Sequence, residues 1–538
     1  MSVILQRKKL PLWFGFVLLL AVSGCRAALK PTEGPAALPP VAAETLAEAP
    51  ASQDPPALRT IMPASGALKL TVGQAVLLCL ENNRALAVQR LNPQIRKTFE
   101  DEARSRFDPT VGAEFSAGRE KGEKLARSGS QTEGFTNDSA QGGISLAQYF
   151  PTGTQVTLEA TSQMEDSSLY DERFYSSRLG VGLNQSLLRG FGPEVNWVEL
   201  RQARLDTAMS GYELRGYTEA LVAEVENAYW EYAQARRQIE IVEESLKVAR
   251  QQLAETHELI GVGRLARAEL AAVQAEVAAQ EQALIEARAN AESMRLQLLR
   301  LLNPAGPDLW RREVSLVHQP TLPDLPLEPV ETHVAVSLRM RPLLNQARLE
   351  VQRGDLELVK TRNGLLPLMD LFVALGKSGY ADAFGRSIEA TDGDSYDALA
   401  GVRLQFPLFN REAKARHRRA LLTREQAQSM LADLSQLVEV DVRKAHIEVD
   451  RTHQQISASS ATRMYNEEKL RIETERMRVG KSTSFLVAQA QRDLLSSRIA
   501  EVRALVNYLQ ALIELYRQDG TLLERRGIAA PGEPGGAF

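Results

Sequence analysis

Apolar residues follow two rhythms along this chain. Between residues 194 and 259, Leu221, Val225, Ala228, Tyr232, Ala235, Ile239, Val242, Leu246, Ala249 and Leu253 step by four and three, the spacing of a coiled-coil seam. A helix of roughly 66 residues reaches about 100 Å at ~1.5 Å per residue, longer than one compact domain needs. Elsewhere the rhythm is two. Val156, Leu158 and Ala160 alternate with Gln155, Thr157 and Glu159, and Leu179, Val181 and Leu183 alternate with Gly180, Gly182 and Asn184, which predicts strands with one apolar and one polar face. The polar stretch 118–142 reads as a long exposed loop, and Pro151-Thr152-Gly153 as a tight turn.

The pattern is written twice. Val479-Gly480-Lys481, within 478–494, repeats Val262-Gly263-Arg264 at a shift of 217. The same shift pairs Val225 with Val442, Ala228 with Ala445, Glu231 with Glu448 and Gln274 with Gln491, and one register held over about 50 residues marks an internal repeat. Leu86 and Pro109 precede Leu344 and Pro367 by 258, whereas Gly180-Val181 precedes Gly401-Val402 by 221. The first half therefore holds extra residues in its strand section.

Each half reads as helix, strands, long helix, glycine turn and return helix. The first half has a helix over 71–105, where Pro93 should kink or break it, then the strands, the long helix, the turn at 261–263 and a return helix over 265–302, ended by Asn303-Pro304. The second has helices over 331–363 and 412–476, strands near 369–375 and 400–406, and a return helix to 519. A Pro-rich linker, 304–330, joins the halves, and a short loose tail covers 521–538. In each half the two shorter helices together match the long one in length, so stacked end to end they would lie antiparallel beside it and bury its seam. The strands then lie at the end opposite the glycine turns.

Composition removes several function classes. The 538 residues are 44% hydrophobic and 25% charged, with a formal net charge of −4, which argues against disorder and gives no reason for a nucleic-acid partner. At the N-terminus, Arg7, Lys8 and Lys9 precede the apolar run 10–20, and Val22-Ser23-Gly24-Cys25 resembles a bacterial lipobox. This predicts a signal peptide over 1–24, lipidation at Cys25, and a lipid anchor with an Ala/Pro-rich tether over 25–66. Arg26, in place of Asp, favours the outer membrane in lipoproteins of this type. Cys79, the other cysteine, is expected to pack as a small apolar residue on a helix. Candidate chemistry is sparse. His446 and His453 lack zinc-site spacing and read as a solvated helix face. Gly190-Phe191-Gly192-Pro193 lacks the third glycine of a dinucleotide loop, and Pro193 suits a first helical position. With no nucleophile or carboxylate constellation either, no enzyme, cofactor or metal is expected.

The lipobox, the doubled layout, the Val-Gly tips and the starts Asn83-Arg84-Ala85-Leu86 and Arg341-Pro342-Leu343-Leu344 resemble the TolC-like outer-membrane efflux protein family of outer membrane factor lipoproteins, over about 67–520. Gln185-Ser186-Leu187-Leu188-Arg189 before Gly190, and Gln405-Phe406-Pro407-Leu408-Phe409, are similar to that family's strand-to-helix junctions. The resemblance implies a mostly α fold with membrane β, built from two helix-strand-strand-helix repeats, 67–303 and 331–520. Long antiparallel coiled-coil helices would form a periplasmic α-barrel, and the strands of a homotrimer would share one transmembrane β-barrel. The implied function is a passive outer-membrane exit duct of a tripartite efflux or type I secretion system, fed by an inner-membrane pump through a periplasmic adaptor (membrane fusion) protein. It implies Val262, Gly263, Arg264, Val479, Gly480 and Lys481 as the adaptor-docking tip, and Glu269 as part of the entrance. Leu486 and Gln489 stand where the second copy would carry acids, so a family-style acidic ring is not expected. Ducts of this kind serve drugs, metals, other solutes and proteins alike. The family's usual four strands per chain could rise here through the turn at 151–153. The rival from another class is a non-channel periplasmic coiled-coil scaffold lipoprotein, which has no need of two sets of alternating strands at one end.

Overall fold

The computed structural model of the chain describes residues 68–125, 129, 132–168, 172–304, 309–322 and 327–529. The expected signal peptide, Cys25 and the tether lie outside the described residues, as does the end of the tail.

Two long helices, α4 (Val198–Gly261), entered through the single turn α3 (Pro193–Asn196), and α9 (Arg411–Arg478), are the rods of the fold. Leu221, Val225, Ala228, Tyr232, Ala235, Val242, Leu246 and Ala249 are buried along α4, and Val438, Val442, Ala445 and Val449 along α9, as the four-three spacing predicts. Each rod carries two partners. The return helices α5 (Glu269–Leu302) and α10 (Ser484–Gln518) pack on the tip-side portions, and α2 (Arg84–Ser105) and α7 (Pro342–Asn363) on the strand-side portions.

The entry helices differ from expectation. Instead of one helix over 71–105, the chain forms α1 (Val72–Asn82) and α2, and the break falls at Asn83 while Pro93 sits inside α2. Side-chain capping decides this. Asn83 Oδ1 accepts the Leu86 N–H at 3.0 Å, and Asn83 Nδ2 donates to the Leu301 carbonyl at 3.0 Å, so a helix start is fixed at 83 from both sides. The second half divides likewise into α6 (Val330–Met340) and α7, which opens on Pro342. Arg341 Nη1 reaches the Gln518 carbonyl at 2.8 Å beside that break. Cys79 is buried on α1, and burial pushes its thiol up to about 12.

Two further segments are more ordered than their composition suggests. Within the Pro-rich linker, β6 (Val314–Leu316) pairs in parallel with β1 (Leu68–Leu70), and both are held on α4 by the hydroxyls of Tyr229 and Tyr232, which donate to the carbonyls of Leu70 and Val314 at 3.1 Å. The tail is not loose where it is described. There α11 (Leu522–Arg525) buries Leu522 and Leu523 completely, and Arg526 grips the buried Glu226 carboxylate at 2.6 and 2.7 Å.

The remaining described strands form one six-stranded sheet, β2 (Thr110–Leu125), β3 (Thr132–Tyr149), β4 (Thr154–Ser167), β5 (Phe174–Ser186), β7 (Leu368–Ala381) and β8 (Tyr396–Gln405), antiparallel throughout in that order. The expected loop at 118–142 is thus corrected, because 118–125 and 132–142 belong to strands β2 and β3. Apart from Phe135, which packs over Gly122, the outer part of this hairpin is polar on both faces, so period two is absent from the text, yet cross-strand partners such as Arg119 and Asp138 meet at 2.5 Å. The short helix α8 (Phe384–Glu389) folds back over β7, where Gly379 leaves room. A Cβ there would meet the Ser387 carbonyl.

Candidate functional site: paired helical tips and a two-faced sheet

The glycine turns close with the same geometry in both halves. At the first, Val262 N–H donates to the Glu258 carbonyl at 3.0 Å, Gly263 N–H to Ile260 at 3.0 Å, and Arg264 N–H to Leu259 at 2.8 Å. At the second, Val479, Gly480 and Lys481 donate to Glu475, Met477 and Arg476 at 3.3, 3.0 and 2.8 Å. Gly263 and Gly480 hold φ of 75° and 72°, the left-handed turn that closes a helix C-terminus and favours glycine. The turn presents the valine outward. Val262 is 71% exposed and Val479 67%, and Arg264 and Lys481 are exposed beside them.

Glu269 does not stand free. Its Oε2 accepts the Ser484 N–H at 3.0 Å, while the Thr483 hydroxyl caps Leu486 N–H at 3.4 Å, so the first turn of α10 is satisfied partly from the other hairpin. Above it lies a layer of buried polar side chains between the hairpins. Glu276, 2% exposed, accepts from Arg492 Nη1 at 2.7 Å and from Gln280 Nε2 at 2.7 Å. Gln491 donates to Gln252 at 2.5 Å. Among the described residues, Gln252 Nε2, Thr256 Oγ1 and Gln280 Oε1 in this layer are buried without a hydrogen-bond partner. Such a layer holds the hairpins together less firmly than an apolar seam would. Sequence spacing did not show it, since each polar position also fits a solvated helix face.

Further towards the strands, α4 buries an ion pair. Arg215 Nε donates to Glu219 at 3.0 Å and Arg215 Nη2 to Glu524 at 2.5 Å. Burial is the largest influence on Glu219 and pushes its carboxyl up to about 7, against the opposing effect of Arg215. The histidines find ordinary partners: His446 Nε2 lies 3.1 Å from the Glu328 carbonyl, and the His453 ring packs on Tyr508.

The sheet has two chemically distinct faces. Val111, Leu146, Leu158, Val181, Leu375 and Ala398 lie level across six successive strands on one face, all exposed within the single chain. On the other face, the level row is Gly112, Ser145, Glu159, Gly180, Gly376 and Asp397. Arg178 on that face pairs with Glu159 and, at 2.8 Å, with Asp397. An exposed apolar face opposite a polar one is what a sheet between lipid and an aqueous lumen requires.

The outer membrane efflux protein family matches the chain over residues 139–304 and 335–521. No curated protein sequence is similar enough to match. Among solved structures, the fold is similar to the CmeC outer membrane channel of Campylobacter jejuni (16% identity, 84% of this chain and 86% of that one, TM-score 0.62). It is also similar to the channel-forming CusC (16%, 88% and 99%, TM-score 0.62) and to the outer membrane protein VceC of Vibrio cholerae (15%, 84% and 96%, TM-score 0.61). The family matches both halves, with their paired tips and the two-faced sheet from within β3 onward, so the chain belongs to the outer membrane efflux protein family, and its function is that of an outer-membrane exit duct for efflux.

Proposed function

We propose that three copies of this chain close their sheets into one transmembrane β-barrel and continue it as a helical tube through the periplasm, making the exit duct of a tripartite efflux or type I secretion system. The sheet carries this reading. It has six strands, one exposed apolar face, and two edges, β2 and β8, that pair with nothing among the described residues. Open edges are not tolerated in lipid, and the smallest transmembrane barrels take about eight strands, so the edges are satisfied by sharing one barrel between copies. The rods suit a tube: the 64 residues of α4 extend about 96 Å at ~1.5 Å per residue.

In this reading the repeats are 67–303 and 331–520, and Cys25 carries the lipid that anchors the chain to the outer membrane. Val262, Gly263, Arg264, Val479, Gly480 and Lys481 form the surface that meets the periplasmic adaptor and, through it, the inner-membrane pump. Glu269 sits at the entrance as a clasp between hairpins. A pore-less scaffold would have no use for an exposed apolar sheet face. Sizing of the detergent-purified protein, followed by planar-bilayer recording, tests the proposal: trimers with stepwise conductance are expected, and a silent monomer would overturn it.

A further inference from the structure

The first half passes from α2 to the long rod through two hairpins, β2–β3 and β4–β5, whereas the second passes from α7 to α9 through β7–β8 alone. The region matched by the family begins at residue 139, inside β3, and leaves β2 outside. The added hairpin could stand in the bilayer wall or project beyond it, and the level of its apolar residues discriminates.

On the outer face of β2 the apolar run is Val111, Ala113, Phe115 and Ala117; on β8 it is Ala398, Ala400, Val402 and Leu404. The register sets Val111 level with Ala398. From that level the β2 run extends away from the helices and the β8 run towards them. The intervening runs fall between: Ile144 and Leu146 on β3, Leu158 and Ala160 on β4, Leu179 to Leu183 on β5, Leu371 to Leu375 on β7. The belt thus slides by about six residues over five steps between strands, which at ~3.3 Å per residue and ~4.8 Å per strand is a slope of about 40°. Transmembrane strands tilt by roughly 35–45°. One sloping belt therefore runs unbroken from β8 through β2, with the added hairpin inside it.

We infer that β2–β3 is part of the membrane wall, and that the free β2 edge pairs with the free β8 edge of a neighbouring copy. Three sheets of six strands then close an eighteen-stranded barrel. This rests on the trimeric reading above. β2 leaves the helices and β8 returns to them, so the new pairing is antiparallel like every other in the sheet. At equal tilt the barrel is about one and a half times as wide as one with four strands per copy.

Cysteine pairs test this in the full-length purified protein with a short bismaleimide; Cys79 is buried, with its thiol raised, and stays silent. Ala117→Cys with Ala400→Cys, which the slope of the belt sets nearly level across the new seam, should link neighbouring copies into covalent trimers. Ala160→Cys with Ala400→Cys should not, because β4 would be an inner strand. Trimers linked through 160 and 400 instead would overturn the eighteen-stranded barrel and leave the duct intact, whereas monomers on sizing would overturn the duct reading itself. As a second readout, a nitrobenzoxadiazole dye on Phe115→Cys should lose most of its emission to doxyl-labelled lipid, and the dye on Gln141→Cys, on the polar face, should keep it. Equal, weak quenching at both positions would place the hairpin outside the membrane and overturn the inference.

Discussion

The carboxylate of Glu269, at the start of α5, accepts the backbone N–H of Ser484, at the start of α10, at 3.0 Å. A charged acceptor at a helix N-terminus is worth about 1 kcal/mol, and here it also joins one hairpin to the other. Glu269→Ala should loosen the first turn of α10 by about that amount, while Thr483 keeps the helix capped. Amide exchange confined to residues 484–487 should quicken, and bilayer openings should become more frequent. Unchanged exchange at Ser484 would remove this tie from any account of the entrance.

Val479 is 67% exposed, and its turn is held by backbone bonds. Val479→Asp should therefore leave thermal stability and trimer size within error and yet abolish efflux and adaptor capture. Gly480→Ala is a different perturbation. Nothing lies within 4 Å of the added Cβ, so its cost is the left-handed backbone alone, about 1 kcal/mol. Full efflux by the aspartate variant would show that the tip does not dock.

Glu219 predicts a dependence on pH. Its folded pKa of about 7 lies above the ordinary 4.5, so the folded chain holds the proton more tightly than the unfolded one. Between these values stability falls as pH rises, by about 3 kcal/mol at most, and the loss is complete above the folded pKa. Glu219→Gln does not titrate. Its melting temperature relative to the parent should rise between pH 5 and pH 8, and a flat difference would mean that the carboxyl stays ionised throughout.

Arg178 faces the polar side of the sheet between Glu159 and Asp397, one cation against two anions in each copy. Arg178→Ala exposes both carboxylates to the lumen and should shift reversal potentials towards cation selectivity, with trimer stability largely retained. A shift towards anions would place this face away from the conducting path.

Cys25→Ala should abolish incorporation of labelled palmitate while the duct still folds. Labelling that persists would refute the anchor.

The helical half of this architecture was legible because a buried seam imposes its period on the text. Val225 and Val442, related by the shift of 217, are both fully buried at equivalent places on the two rods. The β2–β3 hairpin was not legible. Gly118, Gly122, Gly134 and Gly142 interrupt it, and beyond the apolar belt both faces are largely polar, so Arg119, Glu120 and Lys121 follow one another without alternation. The clasp at the tip escaped for another reason. Glu269 and Ser484 are 215 positions apart, and a bond between a side chain and a distant backbone N–H leaves no local spacing to read.

The breaks at Asn83 and Arg341 lie beside the ends of the return helices, where Asn303 Nδ2 donates to the Asn82 carbonyl at 2.9 Å and Gln518 meets Arg341. At this height both flanking stacks are jointed and only α4 and α9 run through. A column built this way bends where its stiffness drops, so a sideways load on the tips is taken up at the joints and the strand-side portion stays still. In the proposed duct, the barrel would keep its seal on the bilayer while the far end swings, with the two unbroken rods acting as leaf springs that return it.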